Sequence, residues 1–179
     1  MSIFTNPASS SKEDAAAYTA ALLGLLGSQN PLDVLEHTPA IVASLTDGVS
    51  EARLQQEEAP GKWSVRHVLA HLADSEVVGA WRFRMILAHD RPPIQGYDHD
   101  AWANNLWYAD APSKLSLETF SALRRWNVRI LRAAAPAQLE RVGVHAERGE
   151  ESIAHLVKLY AGHDLLHRRQ IERILAAIA

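Results

Sequence analysis

The sequence predicts an all-α fold, a four-helix bundle, and three observations carry that expectation. Four long stretches gather their apolar residues on one helical face at about 100° per residue. No alternation of the kind a half-buried strand needs persists anywhere. The stretches are separated by glycine, proline and capping residues, with one long connection between residues 91 and 114.

A chain of 179 residues is long enough for one domain with a sizeable core. That domain is expected over residues 13–179, behind a mobile, serine-rich N-terminal stretch at 1–12. Hydrophobic content of 47% and charged content of 22% are those of a soluble globular protein. The net charge of −3 gives no basic footprint, so no nucleic-acid partner is expected. No run approaches the ~20 apolar residues of a membrane helix, and Met1–Lys12 lacks a signal peptide's apolar segment. No membrane partner is expected either. Cysteine is absent, which removes disulfides, thiolate ligands and cysteine nucleophiles, and agrees with a cytoplasmic protein. Any thiol chemistry would use an external thiol.

Taken in order, Ala15–Leu26 reads as a short helix stopped by Gly27. Asn30 and Pro31 read as an N-cap followed by a first-turn proline. The next apolar pattern runs to Asp47-Gly48, and Pro39, with Thr38 able to cap a fresh start, is expected to kink or split it. Pro60-Gly61 marks a turn. Ser64 then caps the longest pattern, which runs to about His89. Its stripe holds Val65, Val68, Leu72, Gly79, Phe83 and Ile86. His71 borders that stripe, Glu76 lies inside it, and Arg82 lies close to the His71 side. A buried carboxylate needs a partner, so Glu76 is expected to pair with Arg82 or with a cation on another helix. Gly79 in mid-helix suggests close approach of another backbone.

The connection that follows is unusually aromatic, with Tyr97, Trp102, Trp107 and Tyr108, and Asp98–Asn105 can form a helical turn or two. It either walls a pocket or docks over the core. Ser116 is expected to cap the third long helix, in which Asn127 reads as a core hydrogen-bonding residue. Pro136 closes that helix. Gln138–Gly149 is a connection with room for a short extended piece, and the final helix is expected near Glu150.

In that last helix His163 and His167 sit one turn apart in the middle of the apolar stripe. Two buried imidazoles must satisfy their ring nitrogens. Carbonyls and waters can do so, and so can a divalent metal, which i,i+4 histidines on one face can share. A reactive zinc-type site needs a third protein ligand and an open position. His71 is the best placed remaining histidine. His67, one turn before it, is a spare ligand or a supporting group, although its angle points toward solvent. His155 faces away from the pair. His37, His89, His99 and His145 read as surface or loop residues. Asp74 and Asp164 lie off the ligand direction and read as ion-pairing or supporting groups.

Two blocks then carry a resemblance. Lys62-Trp63-Ser64-Val65 with His71-Leu72-Ala73-Asp74-Ser75-Glu76 resembles the second helix of the DinB-like superfamily. Tyr160-Ala161-Gly162-His163-Asp164 with His167 and Gln170-Ile171 resembles its last helix. Tyr97-Asp98 to Trp102-Ala103, and Arg124, are also similar to the DinB and YfiT type, so the likeness spans about Pro31 to Ile178. It implies a bundle of up-down-down-up topology with a long crossover, frequent homodimers, and a divalent metal on His71, His163 and His167. Gln170, Tyr97 and Trp102 then become candidates to line or support that site, as do His67, Glu76 and Arg82. His67 departs from the carboxylate or amide common at its position in the family. The implied chemistry is metal-dependent transfer of a low-molecular-weight thiol, isomerisation or hydrolysis.

The leading expectation is therefore an enzyme acting on a small molecule through a three-histidine site. Imidazole ligands suit zinc, nickel, copper and iron alike; zinc or nickel is expected first, ahead of iron, manganese and copper. The competing expectation is a non-catalytic dimeric bundle with a structural or vestigial metal, since no free general base stands near the triad.

Overall fold

The computed structural model describes residues 12–178; the N-terminal stretch expected to be mobile lies, except for Lys12, outside them. The chain runs α1 (Lys12–Leu26), α2 (Pro31–Thr46), α3 (Glu51–Leu54), α4 (Val65–Ala88), β1 (Pro93–Ile94) and α5 (His99–Asn105). It continues with α6 (Ser113–Ala133), α7 (Pro136–Leu139), β2 (Val142–His145), β3 (Gly149–Ser152) and α8 (Ile153–Ala177). The caps do what their residue types allow. Asn30 accepts the N–H groups of Leu32 and Asp33, and Ser64 accepts that of His67.

Helices α2, α4, α6 and α8 form the bundle, and its core sorts into two ends. One end joins Val34 and Leu35 of α2, Phe83 and Ile86 of α4, Val128 and Leu131 of α6, and Leu156 of α8. The other joins Val42 of α2, Val65 and Val68 of α4, Phe120 of α6, and Ile171 and Ile174 of α8. The start of α2 thus meets the ends of α4 and α6 and the start of α8. That is up-down-down-up, and the parallel α4 and α6 require the long crossover between them.

Several local features depart from the sequence expectation. Helix α2 is not split at Pro39, and Thr38 donates its hydroxyl back to Val34 O (2.7 Å) rather than capping a new helix. Proline has no N–H for the carbonyl four residues earlier. That carbonyl, Leu35 O, instead accepts from Arg124 Nη1 of α6 at 2.9 Å. Helix α6 starts at Ser113, one turn before the expected cap Ser116, whose own N–H already bonds Pro112 O. Helix α8 starts at Ile153 and not near Glu150, since Gly149–Ser152 are drawn into a strand. β1 pairs parallel with β2, and β2 antiparallel with β3. These strands are two to four residues long, too short to show as alternation.

The glycines also trade roles. A Cβ at Gly79 would lie 2.8 Å from the Tyr160 ring, so that position admits a side chain and not a backbone. The backbone approach occurs at Gly162, where a Cβ would stand 2.2 Å from Leu22 O. Helix α1 can lie on α8 only because that position has no side chain.

Candidate metal centre

Helix α4 brings His71, and α8 brings His163 and His167, to one point inside the bundle. Nε2 of His163 lies 3.0 Å from Nε2 of His71 and 3.0 Å from Nε2 of His167. His71 and His167 are only 3% and 7% exposed. One ligand atom from each of the three lies within 4.8 Å of the others.

These contacts cannot all be hydrogen bonds. A ring nitrogen carries either one proton or one lone pair in its plane, so Nε2 of His163 can bond only one of its two neighbours. His71 Nδ1 is also buried without a partner. Burial is the main cause holding the pKa of His71 and His163 well below the usual 6.5, and it lowers that of His167 to about 4. Three neutral imidazoles whose Nε2 atoms converge, with more contacts than hydrogen bonds among them can satisfy, fit a divalent cation.

The surroundings show which neighbours support this centre. Gln170 Oε1 lies 2.8 Å from His167 Nδ1, accepting its proton and turning Nε2 toward the other rings. His67 is not brought in. It is half-buried, with Nδ1 2.8 Å from Ser64 Oγ at the start of α4. Glu76 does not face the centre as a free base. It accepts from Arg124 Nε (2.9 Å) and Asn127 Nδ2 (2.8 Å). Its cation is therefore on another helix and is not Arg82. Asn127 is the hydrogen-bonding core residue expected, and Asp164 takes both terminal nitrogens of Arg124. Asp74 accepts the Tyr108 hydroxyl at 2.6 Å, tying the crossover to α4.

The aromatic crossover both docks and lines. Tyr108 and Trp102 pack with Trp63, Ala70 and Ala103. Tyr97, its ring 4.6 Å from that of Trp102, faces a cavity of about 80 Å³ beside the centre. Tyr18 and Leu22 of α1, Ser75 and Arg82 of α4, and Tyr160 and His163 of α8 complete much of its wall. Two histidines were misplaced by sequence reasoning. His145 is buried on β2, accepting backbone N–H groups at Nδ1. His99 opens α5 with its ring 6.1 Å from that of His71 and 5.9 Å from Trp63. Neither belongs to a periodic face, which was the only signal available.

A sequence model of the DinB superfamily matches residues 35–171. The chain belongs to the DinB superfamily. It is 29% identical to YfiT of Bacillus subtilis, named "Putative metal-dependent hydrolase", over 79% of this chain and 82% of that protein. Proteins given the same name in Oceanobacillus iheyensis and Bacillus mycoides are 29% and 30% identical. Those matches span 78% and 76% of this chain, and 81% and 79% of the relatives. The solved structure of YfiT, reported with an unusual four-helix bundle topology, superposes with a TM-score of 0.72 at 26% identity. That match covers 80% of this chain and 84% of the YfiT chain. Among the described residues of this DinB-superfamily chain, no helix is long and apolar enough to cross a membrane.

Proposed function

We propose that this DinB-superfamily protein is a metal-dependent enzyme acting on a small molecule, with His71, His163 and His167 as the metal ligands. One observation carries the reading: the Nε2 atoms of the three imidazoles converge with more contacts than they can hydrogen-bond, and one of them, His163, forms part of a cavity wall. A structural metal would have no use for that opening, so the cavity favours catalysis over the non-catalytic alternative. The imidazole donor set suits zinc, nickel, copper and iron, of which we take zinc or nickel first. A metal held by these three histidines would supply Lewis acidity and lower the proton affinity of a bound water or thiol.

The chain's own residues then have definite tasks. Gln170 fixes the His167 tautomer, and Trp63, 5.2 Å from His71 between ring centres, shields the centre on the crossover side. Transfer of a low-molecular-weight thiol is the favoured chemistry, because the cysteine-free chain leaves the open position to an external thiol. Hydrolysis, the activity named for the relatives, needs the same ligands. We take the compartment to be the cytoplasm on the same cysteine-free ground. A homodimer is also part of the proposal, supported by the exposed Val77 and Trp81 on α4 and Trp126 on α6.

Adding 2-mercaptoethanol to the cobalt-substituted protein should produce sulfur-to-metal charge-transfer absorption, and His167→Ala should abolish it. If a panel of thiols leaves the spectrum unchanged at full cobalt occupancy, hydrolysis replaces thiol transfer as the chemistry of this site.

A further inference from the structure

The cavity beside His163 contains two arginines in opposite circumstances. Arg148 is held by both carboxylate oxygens of Glu151, at 2.6 and 2.8 Å. Arg82 is 7% exposed, yet no carboxylate of a described residue pairs with it. Its Nη2 donates to the backbone oxygen of Gln95 at 2.5 Å, its Nη1 holds a long 3.4 Å contact to the Tyr160 hydroxyl, and its Nε has no acceptor. Glu76, the carboxylate that sequence spacing offered it, is committed to Arg124 and Asn127. A buried guanidinium with spare N–H groups and no counter-charge is a site for an anion.

We propose that the substrate carries a carboxylate, which Arg82 receives in this cavity while the reacting part of the molecule lies toward His163. The inference rests on the reading of the cavity as the substrate site. A planar guanidinium fork matches a carboxylate. One unpaired arginine balances one negative charge, which favours a carboxylate over a phosphate dianion. One water needs about 10–15 Å³ of space, so a cavity of about 80 Å³ has room for a short acid. Tyr18 and Tyr97 in the same wall are phenols and therefore O–H donors at neutral pH.

Calorimetric titration with propionate and its neutral counterpart propionamide tests this, in metal-free and zinc-loaded protein. Propionate should bind at least about tenfold more tightly than the amide in both forms, as expected for a charge-assisted bond. Arg82→Met should bring the two ligands to within about twofold of each other, and Arg82→Lys should keep part of the preference. Equal binding of acid and amide by the wild type overturns the inference. So does a preference that persists in folded Arg82→Met, or tighter binding of inorganic phosphate than of propionate. If Arg82→Met does not fold, the wild-type comparison and Arg82→Lys decide. A protein that takes up no zinc but shows the Arg82-dependent preference keeps this inference and loses the metal; zinc uptake without the preference does the reverse.

Discussion

Two buried polar clusters occupy neighbouring positions of the same two helices, and they are built on opposite terms. Glu76 of α4 and Asp164 of α8 close around Arg124, with Asn127 and Leu35 O taking what remains. Every charged atom there has a partner. His71 of α4 and His163 and His167 of α8 meet with one contact too many for their protons and with His71 Nδ1 unpaired. The first cluster fixes how four helices sit against one another, and the second is short of a ligand. Burial alone does not separate such clusters. Unmet bonding beside a cavity does.

The contrast is broken most directly by exchanging the damage. Arg124→Met leaves two buried carboxylates without their cation and should cost about 3–5 kcal/mol in urea unfolding. His163→Ala should leave the metal-free protein as helical as the wild type by circular dichroism, while weakening zinc binding at least about a hundredfold. A His163→Ala protein that holds zinc at wild-type affinity, or an Arg124→Met protein of undiminished stability, would erase the distinction.

Acid should act on the open cluster next. The triad imidazoles are held neutral in the folded, metal-free protein, whereas histidine in the unfolded chain titrates near 6.5. Between about pH 6.5 and 4 the unfolded chain therefore binds more protons, and stability falls as pH falls through that window. His167, with its pKa at about 4, should alone account for roughly 2 kcal/mol between pH 7 and 5. Urea midpoints of the chelated protein at the two pH values measure this. Replacing the three histidines by glutamine should flatten the dependence.

The smallest effects sharpen the edge of the site. Gln170→Leu removes the acceptor that orients His167 and should weaken zinc binding roughly tenfold. His67→Gln should change it by less than about twofold, since that ring is engaged with Ser64. Competition titrations with a chromophoric chelator resolve both, and a His67→Gln protein that loses its zinc would move His67 into the centre.

What could be read from the sequence followed from local rules. Asn30 and Ser64 mark helix starts by side-chain chemistry, and the i,i+4 spacing of His163 and His167 is a property of one helix. His71 needed only the edge of a second stripe. What could not be read depended on distant partners or on short pieces. Arg124 finds Glu76, Asp164 and a carbonyl released by Pro39, three contacts that no single helical face encodes. Of the two partners open to Glu76, the cation on another helix is the one it takes, and Arg82, on its own helix, instead meets the crossover and α8. His99 lies on a short helix whose position is set by the Tyr108–Asp74 bond and by aromatic packing.

Gly162 has a consequence for how this protein can vary. It lets α1 press its Leu22 carbonyl against α8, and so delivers Tyr18 and Leu22 to the cavity wall. The superfamily match begins at residue 35, after α1 has ended. His71, His163, His167 and Arg82 thus lie inside the matched span, while part of the wall comes from a helix that precedes it and rests on one glycine contact. On the proposed reading the metal centre and Arg82 come from α4 and α8 and part of the wall from α1, so changes in α1 should retune what enters the cavity without disturbing the centre.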